Sequence, residues 1–329
     1  MQQYNMTKKH DDFTQNRAVT TGSYVKYAKY IVGLIVGLIC YYSYLDSLYI
    51  IDEVYNGDKL REYTIQEKTT IRVEPAVQNG KYDFELLNNF IGIYSICQNV
   101  HEIQILWPWL TIPPPKSTDF VYPKTHSLVT VDIINPAEYS SLKIQIPVMT
   151  ESIFLLDLDV RMTCEDLRFT HSVWRSSKDS LVGYFPHLHT YKNDKDIGGV
   201  VGYSSVLWKK SYSLLLTSAV MMKQQYLQSL SSFVPLQSYL KSHNECSTIA
   251  LSLYAASIGA TPPIYAEIPT LSIDRKYTLP PKVSSIGRDK CIEKIAKLLN
   301  LNENEKDKNV NKLTYSSHKA VPAKSLIFW

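Results

Sequence analysis

The segment from Glu151 to Asp166, ESIFLLDLDVRMTCED, constrains the fold of this chain more than any other. Its apolar run, Ile153 to Leu156, predicts a buried strand. Strand alternation would then place Asp157 and Asp159 on one side, with Leu158 opposite. Two neighbouring carboxylates repel each other unless a cation lies between them, and oxygen ligands suit Mn²⁺ or Mg²⁺. The pattern alone does not distinguish such a metal site from an ordinary polar strand end.

Length and composition narrow the class of protein. The chain has 329 residues and a formal net charge of +4, which is enough length for one large domain with a substantial core. The basic excess is too small to indicate nucleic-acid binding, and no Walker-type or GxGxxG phosphate loop occurs. The five cysteines form no CxxC pair, which argues against a structural zinc site. Apart from Cys40, they could form disulfides only in an oxidising compartment.

The N-terminal region predicts a membrane anchor. Residues 1–29 are polar and partly basic, as expected for a disordered cytoplasmic tail, and residues 52–68 are a charged stem. Between them, residues 30–51 contain an uncharged apolar stretch with basic residues before it and acidic residues after it. The positive-inside rule then places the N-terminus in the cytoplasm. A cleaved signal peptide and a buried core helix are the alternatives, and the long polar leader argues against the first.

Strand and helix patterns alternate along the first half of the remaining chain, residues 69–329. Strands are predicted at 69–73, 103–107, 127–134 and 153–156, and helices at 82–96, 137–146 and 165–174. The second half predicts strands at 181–185 and 264–268, a strand then a helix within 214–226, and helices at 248–257 and 290–299. This order indicates one α/β domain with a mostly parallel sheet covered on both faces. Ligands of such sheets bind beyond the carboxyl ends of strands, where Asp157 and Asp159 lie.

From Phe84 to Lys319 the chain resembles the C-terminal catalytic domain of exostosins and exostosin-like proteins, glycosyltransferase family 64. The resemblance rests on the order and spacing of several stretches rather than on any single one. These stretches are LLNNF (86–90), NVHEIQILW (99–107), IFLLDLDV (153–160), EDLRF (165–169), DSLVGYFPHLH (179–189), YSLLLTSAVMMKQQY (212–226), ECSTIALSLYAASIGATPP (245–263) and RDKCIEKI (288–295).

The resemblance implies a GT-A fold, the Rossmann-like fold of nucleotide-diphospho-sugar transferases. It also implies a type II membrane protein of the Golgi or endoplasmic reticulum with a luminal domain. The implied reaction is retaining transfer of an N-acetylhexosamine-class sugar from a UDP donor to a glycan acceptor, with Mn²⁺ or Mg²⁺.

The family's functional residues map onto specific positions of this chain. The metal-binding carboxylate falls on Asp159, and nucleotide-sugar contacts fall on Asp157 and His189. Arg288 matches a basic residue beside the leaving diphosphate, where a fixed cation would stabilise the developing charge. Cys246 and Cys291 match a disulfide that ties the catalytic loop to the last helix.

The chain also departs from the family pattern at its most reactive positions. Leu158 replaces the middle of three successive aspartates, and a pair of catalytic aspartates falls on Ser247 and Thr248. A hydroxyl has no comparable basicity near neutral pH. Glu245, two residues earlier, is the candidate replacement carboxylate. Ser140 and Ser141 fall where the family offers Asn and Arg side chains to the nucleotide. The family's Tyr-Asn-Arg is replaced by Val77–Asn79, and its Arg after the Phe-x-Pro element by His187.

Two hypotheses from different classes follow. The first is an anchored, metal-dependent glycosyltransferase, which the retained Asp157, Asp159 and Arg288 favour. The second is a catalytically inactive GT-A domain that serves as a partner glycosyltransferase subunit or carbohydrate-binding module, which Ser247 and Thr248 favour. A soluble metal-dependent hydrolase fits least, because no group of residues resembles a water-activating site.

Overall fold

The computed structural model describes residues 27–41, 63–75, 77–78, 81–108, 113–122, 127–134, 146–192, 196–258, 261–268, 272–273, 285–301, 316–317 and 319–320. The chain divides into two compact units, Met1–Glu62 with Leu326–Trp329, and Tyr63–Ser325. In the first unit, residues 27–41 form helix α1. None of the helices within the described ranges is both long and apolar enough to cross a membrane. The predicted anchor, 30–51, continues past this helix into residues 42–51, which lie outside the described residues.

The second unit is built on an eight-stranded sheet. From one edge to the other its strands are β15 (Lys319–Ala320), β13 (Thr261–Ala266), β8 (Ser180–Gly183), β12 (Ala219–Lys223), β6 (Ser152–Leu156), β1 (Thr69–Val73), β4 (Val100–Pro108) and β5 (Leu128–Ile134). Strand β12 is antiparallel to both of its neighbours, and the other seven strands share one direction. The predicted α/β architecture with a mostly parallel sheet is therefore confirmed.

Smaller sheets and the helices complete this unit. A three-stranded antiparallel sheet has the order β10 (Asp196–Val201), β9 (Pro186–Lys192), β11 (Leu214–Leu215). Two-stranded pairs join β7 (Val160–Arg161) to β14 (Ser272–Ile273) and β2 (Val77–Gln78) to β3 (Lys81–Tyr82). The helices are α2 (Phe84–Ser95), α3 (Cys164–Ser176), α4 (Tyr203–Lys209), α5 (Gln224–Ser232), α6 (Val234–Ser242), α7 (Ser247–Ser257) and α8 (Ser285–Leu298).

Strand β6 contributes side chains to two separate hydrophobic cores. Ile153 and Leu155 pack with residues of α5, α6, α7 and α8 in one core. Phe154 and Leu156 pack with residues of α2 and α3 in the other. Because successive side chains of a strand point to opposite faces, a strand buried on both faces must be apolar at every position. This explains why the sequence shows an unbroken apolar run rather than an alternating pattern.

Several sequence predictions differ from the structure in detail. The hairpin β9–β10 and the helices α4 and α6 were not predicted, because each element has only six to nine residues, too few to establish a period. Pro262 and Pro263 lie inside β13 rather than before it, at a point where the register with β8 is interrupted. A proline is tolerated there because no ladder hydrogen bond needs its missing N–H. Of the predicted helix 137–146, residues 137–145 lie outside the described part of the chain.

A buried arginine on β1, the strand next to β6, links β1 to β4 and to the segment that contains Ile146. Arg72 of β1 is 2% exposed; its Nε donates to Oε1 of Gln104 at 2.7 Å and its Nη2 to the Ile146 carbonyl at 3.1 Å. Burial lowers the pKa of Arg72 to about 10, against the opposing charges of Asp132 and Glu102. Burial also raises the pKa of Asp132, against a hydrogen bond from Gln104 and the charge of Arg72. Arg72 is therefore a buried cation, and it donates hydrogen bonds to Gln104 on β4 and to the Ile146 carbonyl.

We expect Arg72→Met to lower the free energy of unfolding by about 3 kcal/mol, because removing one member of a buried charged group leaves its partners uncompensated. Urea unfolding of the purified protein, followed by circular dichroism, measures the change. Arg175→Met is the matched control: Arg175 contacts Glu67 at 3.3 Å on the surface, where an ion pair contributes at most about 1 kcal/mol. Equal effects of the two substitutions would contradict this account of Arg72.

Candidate functional site

Two aspartates leave the sheet at the carboxyl end of β6. The strand ends at Leu156, and the backbone N–H of Val160 donates to the Asp157 carbonyl at 3.1 Å. Residues Asp157–Asp159, called the carboxylate turn below, therefore lie in a β-turn and not on the strand itself. Leu158 is 2% exposed and packs in the core, whereas Asp157 and Asp159 are half-buried. The sequence predicted these residues on a strand, whereas the structure places them in a turn, with Leu158 buried and both aspartates half-buried.

The chain on both sides of the carboxylate turn is held by hydrogen bonds. On its inner side, the N–H of Asp157 donates to the Ser218 carbonyl at 2.8 Å. Across the turn, the guanidinium of Arg161 donates to the Leu158 carbonyl. Beyond it, Thr163 and Asp166 form a capping box at the start of α3, with bonds of 3.1 Å in each direction between side chain and backbone. Such boxes fix where a helix begins.

A second turn, Thr217–Ser218, connects the carboxylate turn to the start of α7. Ser218 accepts the hydrogen bond from Asp157, and the N–H of Thr217 donates to the Thr248 carbonyl at 3.2 Å. The structure therefore brings the end of β6 close to Ser247 and Thr248, 90 residues later in the sequence. Of the two hydroxyl residues, Ser247 is half-buried and Thr248 is buried. Sequence reasoning did not identify Thr217 and Ser218, because a two-residue turn before a strand carries no chemical signal.

Glu245 lies beside a disulfide at the entrance to α7. It is exposed, in a short 3₁₀ turn, Asn244–Cys246, and the structure contains a disulfide between Cys246 and Cys291. A carboxylate oxygen of Glu245 lies within 4.8 Å of both sulfur atoms. These three residues are the only cluster with metal-ligand spacing among the residues that the structure describes. The sulfurs are bonded to each other, so neither offers the thiolate that a metal would need.

The start of α8, which carries Arg288, is attached to two neighbours. Oδ1 of Asp289 accepts from the N–H of Val200 in β10 at 2.8 Å, and Cys291 is bonded to Cys246. A Cβ atom at Gly199 would lie 2.8 Å from Thr190 Oγ1 and 3.1 Å from Asp289 Oδ1. Glycine at this position therefore allows β10 and α8 to approach each other. Arg288 directly precedes the first of these two attachments, and its side chain lies outside the described part.

His189 is buried in the β9–β11 pair rather than exposed. It is 1% exposed, its Nδ1 lies 2.7 Å from Ser213 Oγ, and its ring meets Tyr191 edge-on at 4.8 Å. Burial lowers the pKa of His189 to about 4, so the imidazole is neutral at pH 7. The neighbouring His187 is also buried, with Nδ1 3.3 Å from the Phe185 carbonyl.

The donor set at the carboxylate turn fits a hard divalent cation. Asp157 and Asp159 supply oxygen ligands only, and both retain access to solvent. Mg²⁺ and Mn²⁺ are commonly held by one or two carboxylates, with water and substrate phosphates completing the coordination shell. The arrangement is chemically suited to holding a metal–diphosphate complex.

Comparison with known proteins connects this geometry to a family. A family model described as "Glycosyl transferase family 64 domain" matches residues 76–315. A glycosylinositol phosphorylceramide mannosyl transferase 1 from Arabidopsis thaliana is 25% identical over 268 residues, covering 75% of each chain. Exostosin-1c from Danio rerio is 28% identical over 206 residues, which are 60% of this chain and 26% of that protein.

A third relative has a related name. The glucosamine inositolphosphorylceramide transferase 1 of Oryza sativa subsp. indica is 23% identical over 233 residues, 64% of this chain and 29% of that protein. The chain thus spans three quarters of the Arabidopsis relative but under a third of the zebrafish and rice relatives.

We expect the stability of the protein to fall as pH falls from 6.5 towards 4, in part through His189. The pKa of His189 is lowered in the folded protein, so the unfolded chain binds more protons in this window, and acid favours unfolding. The contribution is on the order of 3 kcal/mol. Thermal unfolding of wild type and His189→Gln from pH 7 to pH 4 tests this, because the variant should lose less stability.

His243→Gln, at an exposed histidine, should retain the wild-type pH dependence. Parallel curves for wild type and His189→Gln would contradict the assignment.

Proposed function

Since the chain belongs to glycosyltransferase family 64 as an exostosin-like member, we propose that it transfers a sugar from a UDP-sugar donor to a glycan acceptor. The donor sugar is of the N-acetylhexosamine class, and the domain adopts the GT-A fold. The largely parallel sheet, with acidic residues at the carboxyl end of a central strand, supports this fold assignment.

The carboxylate turn is the observation that carries the proposal. Asp157 and Asp159 are half-buried at the end of β6, with Leu158 anchored in the core between them. These two carboxylates would hold Mn²⁺ or Mg²⁺. A bound ion of this kind neutralises a diphosphate and assists its departure as a leaving group.

Other residues have assigned roles in the same proposal. Arg288 lies in the first turn of α8, which Asp289 and Cys291 attach to neighbouring segments. It would stabilise the charge that develops on the leaving UDP. Glu245 is the carboxylate closest in sequence to Ser247 and Thr248 and is exposed to solvent. It would replace the catalytic carboxylate that these two residues lack. His189 is neutral and buried, so it supports the wall of the donor site rather than supplying charge to it.

The acceptor and the cellular location complete the proposal. The names of two relatives describe transfer to inositolphosphorylceramide lipids, and we extend this acceptor class, a glycan on an anionic lipid, to the present chain. Two disulfides, Cys97–Cys164 and Cys246–Cys291, support an oxidising lumen. We place the protein in the Golgi or endoplasmic reticulum membrane as a single-pass type II protein, anchored by residues 30–51.

A second function is favoured by one specific observation. Ser247 and Thr248 stand at the start of α7, beside the turn that contacts Asp157, and neither supplies a carboxylate. A domain of this kind would bind the donor without transferring it and act as a partner subunit or carbohydrate-binding module. Release of UDP from a UDP-sugar distinguishes the two functions.

We expect the purified full-length protein to bind UDP in the presence of Mn²⁺ and not in the presence of a chelator, as measured by calorimetry. Asp159→Asn should weaken this binding by more than the roughly 10- to 100-fold that loss of an outer-shell partner costs. UDP release from a UDP-N-acetylhexosamine would establish transfer chemistry, whereas binding without release would favour the second function.

Asp179→Asn provides the matched control for this experiment. Asp179 is 62% exposed and contacts Lys223, and it precedes β8 at the opposite end of the sheet from the carboxylate turn. This variant should bind UDP and Mn²⁺ like the wild type. Absence of UDP binding by the wild type under any divalent metal would overturn the proposed donor site.

A further inference from the structure

The hydroxyl of Tyr94 contacts the chain immediately after the carboxylate turn. Tyr94 lies on α2 and is fully buried. Its hydroxyl donates to the Val160 carbonyl at 3.3 Å and accepts from the N–H of Met162 at 3.2 Å. One side chain from a distant helix therefore binds the backbone on both sides of Arg161, whose guanidinium in turn donates to the Leu158 carbonyl.

A disulfide attaches the same end of α2 to the same segment. Cys97 follows α2 by two residues and is bonded to Cys164, the first residue of α3, with 5.2 Å between the two Cα atoms. Both Tyr94 and Cys97 are buried. Tyr94, in the last turn of α2, and Cys97, two residues after the helix, thus hold the segment 160–164 at two points.

The chemistry of the carboxylate turn explains why such attachment matters. Asp157 and Asp159 belong to a turn rather than to a paired strand, so no strand ladder holds the backbone that carries them. The inner end of the turn is bonded to Ser218. The outer end depends on Arg161 and on the chain that Tyr94 and Cys164 hold. A metal site made from so few ligands binds tightly only when neighbouring residues orient them in advance.

The Tyr94 hydroxyl is protonated at neutral pH, and burial strengthens this state. Burial raises the pKa of Tyr94 to about 12, and the hydrogen bond from Met162 acts in the opposite direction. The ring also packs against Phe90, with 4.6 Å between centroids. Tyr94→Phe would therefore keep the packed ring and remove only the two hydrogen bonds.

We propose that Tyr94 and the Cys97–Cys164 disulfide are positioning residues for the carboxylate turn and set its affinity for the divalent cation. This inference rests on the proposed function, since it assigns the metal to Asp157 and Asp159. Neither Tyr94 nor the disulfide touches the ion or the substrate. They act by holding the backbone that follows Asp159.

The test compares Tyr94→Phe with Tyr226→Phe in the full-length protein. Tyr226 is also a buried tyrosine, but its hydroxyl donates to the Asp179 carbonyl at 2.8 Å, at the opposite end of the sheet. Both variants lose hydrogen bonding and should lower the melting temperature. Only Tyr94→Phe should weaken Mn²⁺-dependent UDP binding, by about 10-fold or more, as measured by calorimetry with Mn²⁺ as the varied component.

A second readout needs no metal at all. Amide hydrogen exchange across residues 157–163, measured without metal, should be faster in Tyr94→Phe than in wild type and unchanged in Tyr226→Phe. The double variant Cys97→Ser/Cys164→Ser should reproduce the weaker metal binding, and it takes the place of Tyr94→Phe if that protein does not fold.

The outcomes separate this inference from the proposed function. Wild-type binding with unchanged affinity in both Tyr94→Phe and the cysteine variant would overturn the inference and leave the proposed function intact. Equal weakening in Tyr226→Phe would reduce the effect to general stability and would also overturn it. Absence of metal-dependent UDP binding in the wild type would overturn the proposed function and this inference together, even if the hydrogen-exchange difference were observed.

Discussion

Burial of β6 on both faces is the constraint on which the rest of the structure depends. Its four apolar residues alternate between two cores, one formed with α2 and α3 and the other with α5 to α8. A strand locked from both sides cannot shift its register without exposing one core or the other. Its carboxyl end is therefore a fixed point, and the two aspartates that follow it emerge at a defined position at the edge of the sheet.

Several bonds between distant parts of the chain hold the segments around this point. The Thr217–Ser218 turn connects Asp157 to the start of α7, and each disulfide connects one wall of the site to a helix. Backbone groups, two disulfides and the side chains of Tyr94 and Arg161 all contribute to these attachments. This arrangement separates the residues that hold the site from those that face it.

The site has some, but not all, of the chemical groups that the family resemblance implies for a transferase. The carboxylates suited to a metal are retained, whereas hydroxyl groups occupy the positions where the family resemblance places paired aspartates. Binding of a metal–diphosphate complex and transfer of the sugar place different demands on these residues. The first needs oxygen ligands and a cation beside the leaving group, and the second also needs a group basic enough to assist bond formation. The structure brings both sets of residues to the same edge of the sheet.

The class of fold, the order of the main strands and helices, and the two aspartates as candidate ligands could all be predicted from the amino-acid sequence. Apolar runs and local periodicity depend only on neighbouring residues, so they can be recognised without a structure. Three features became visible only in the folded chain: the turn that contains Asp157 and Asp159, the burial of His189, and the attachment of the surrounding chain by Tyr94, Cys97 and Ser218. The contacts of Tyr94, Cys97 and Ser218 join residues separated by about 60 residues or more. Which distant partners meet depends on how the whole sheet packs, and no local pattern records that.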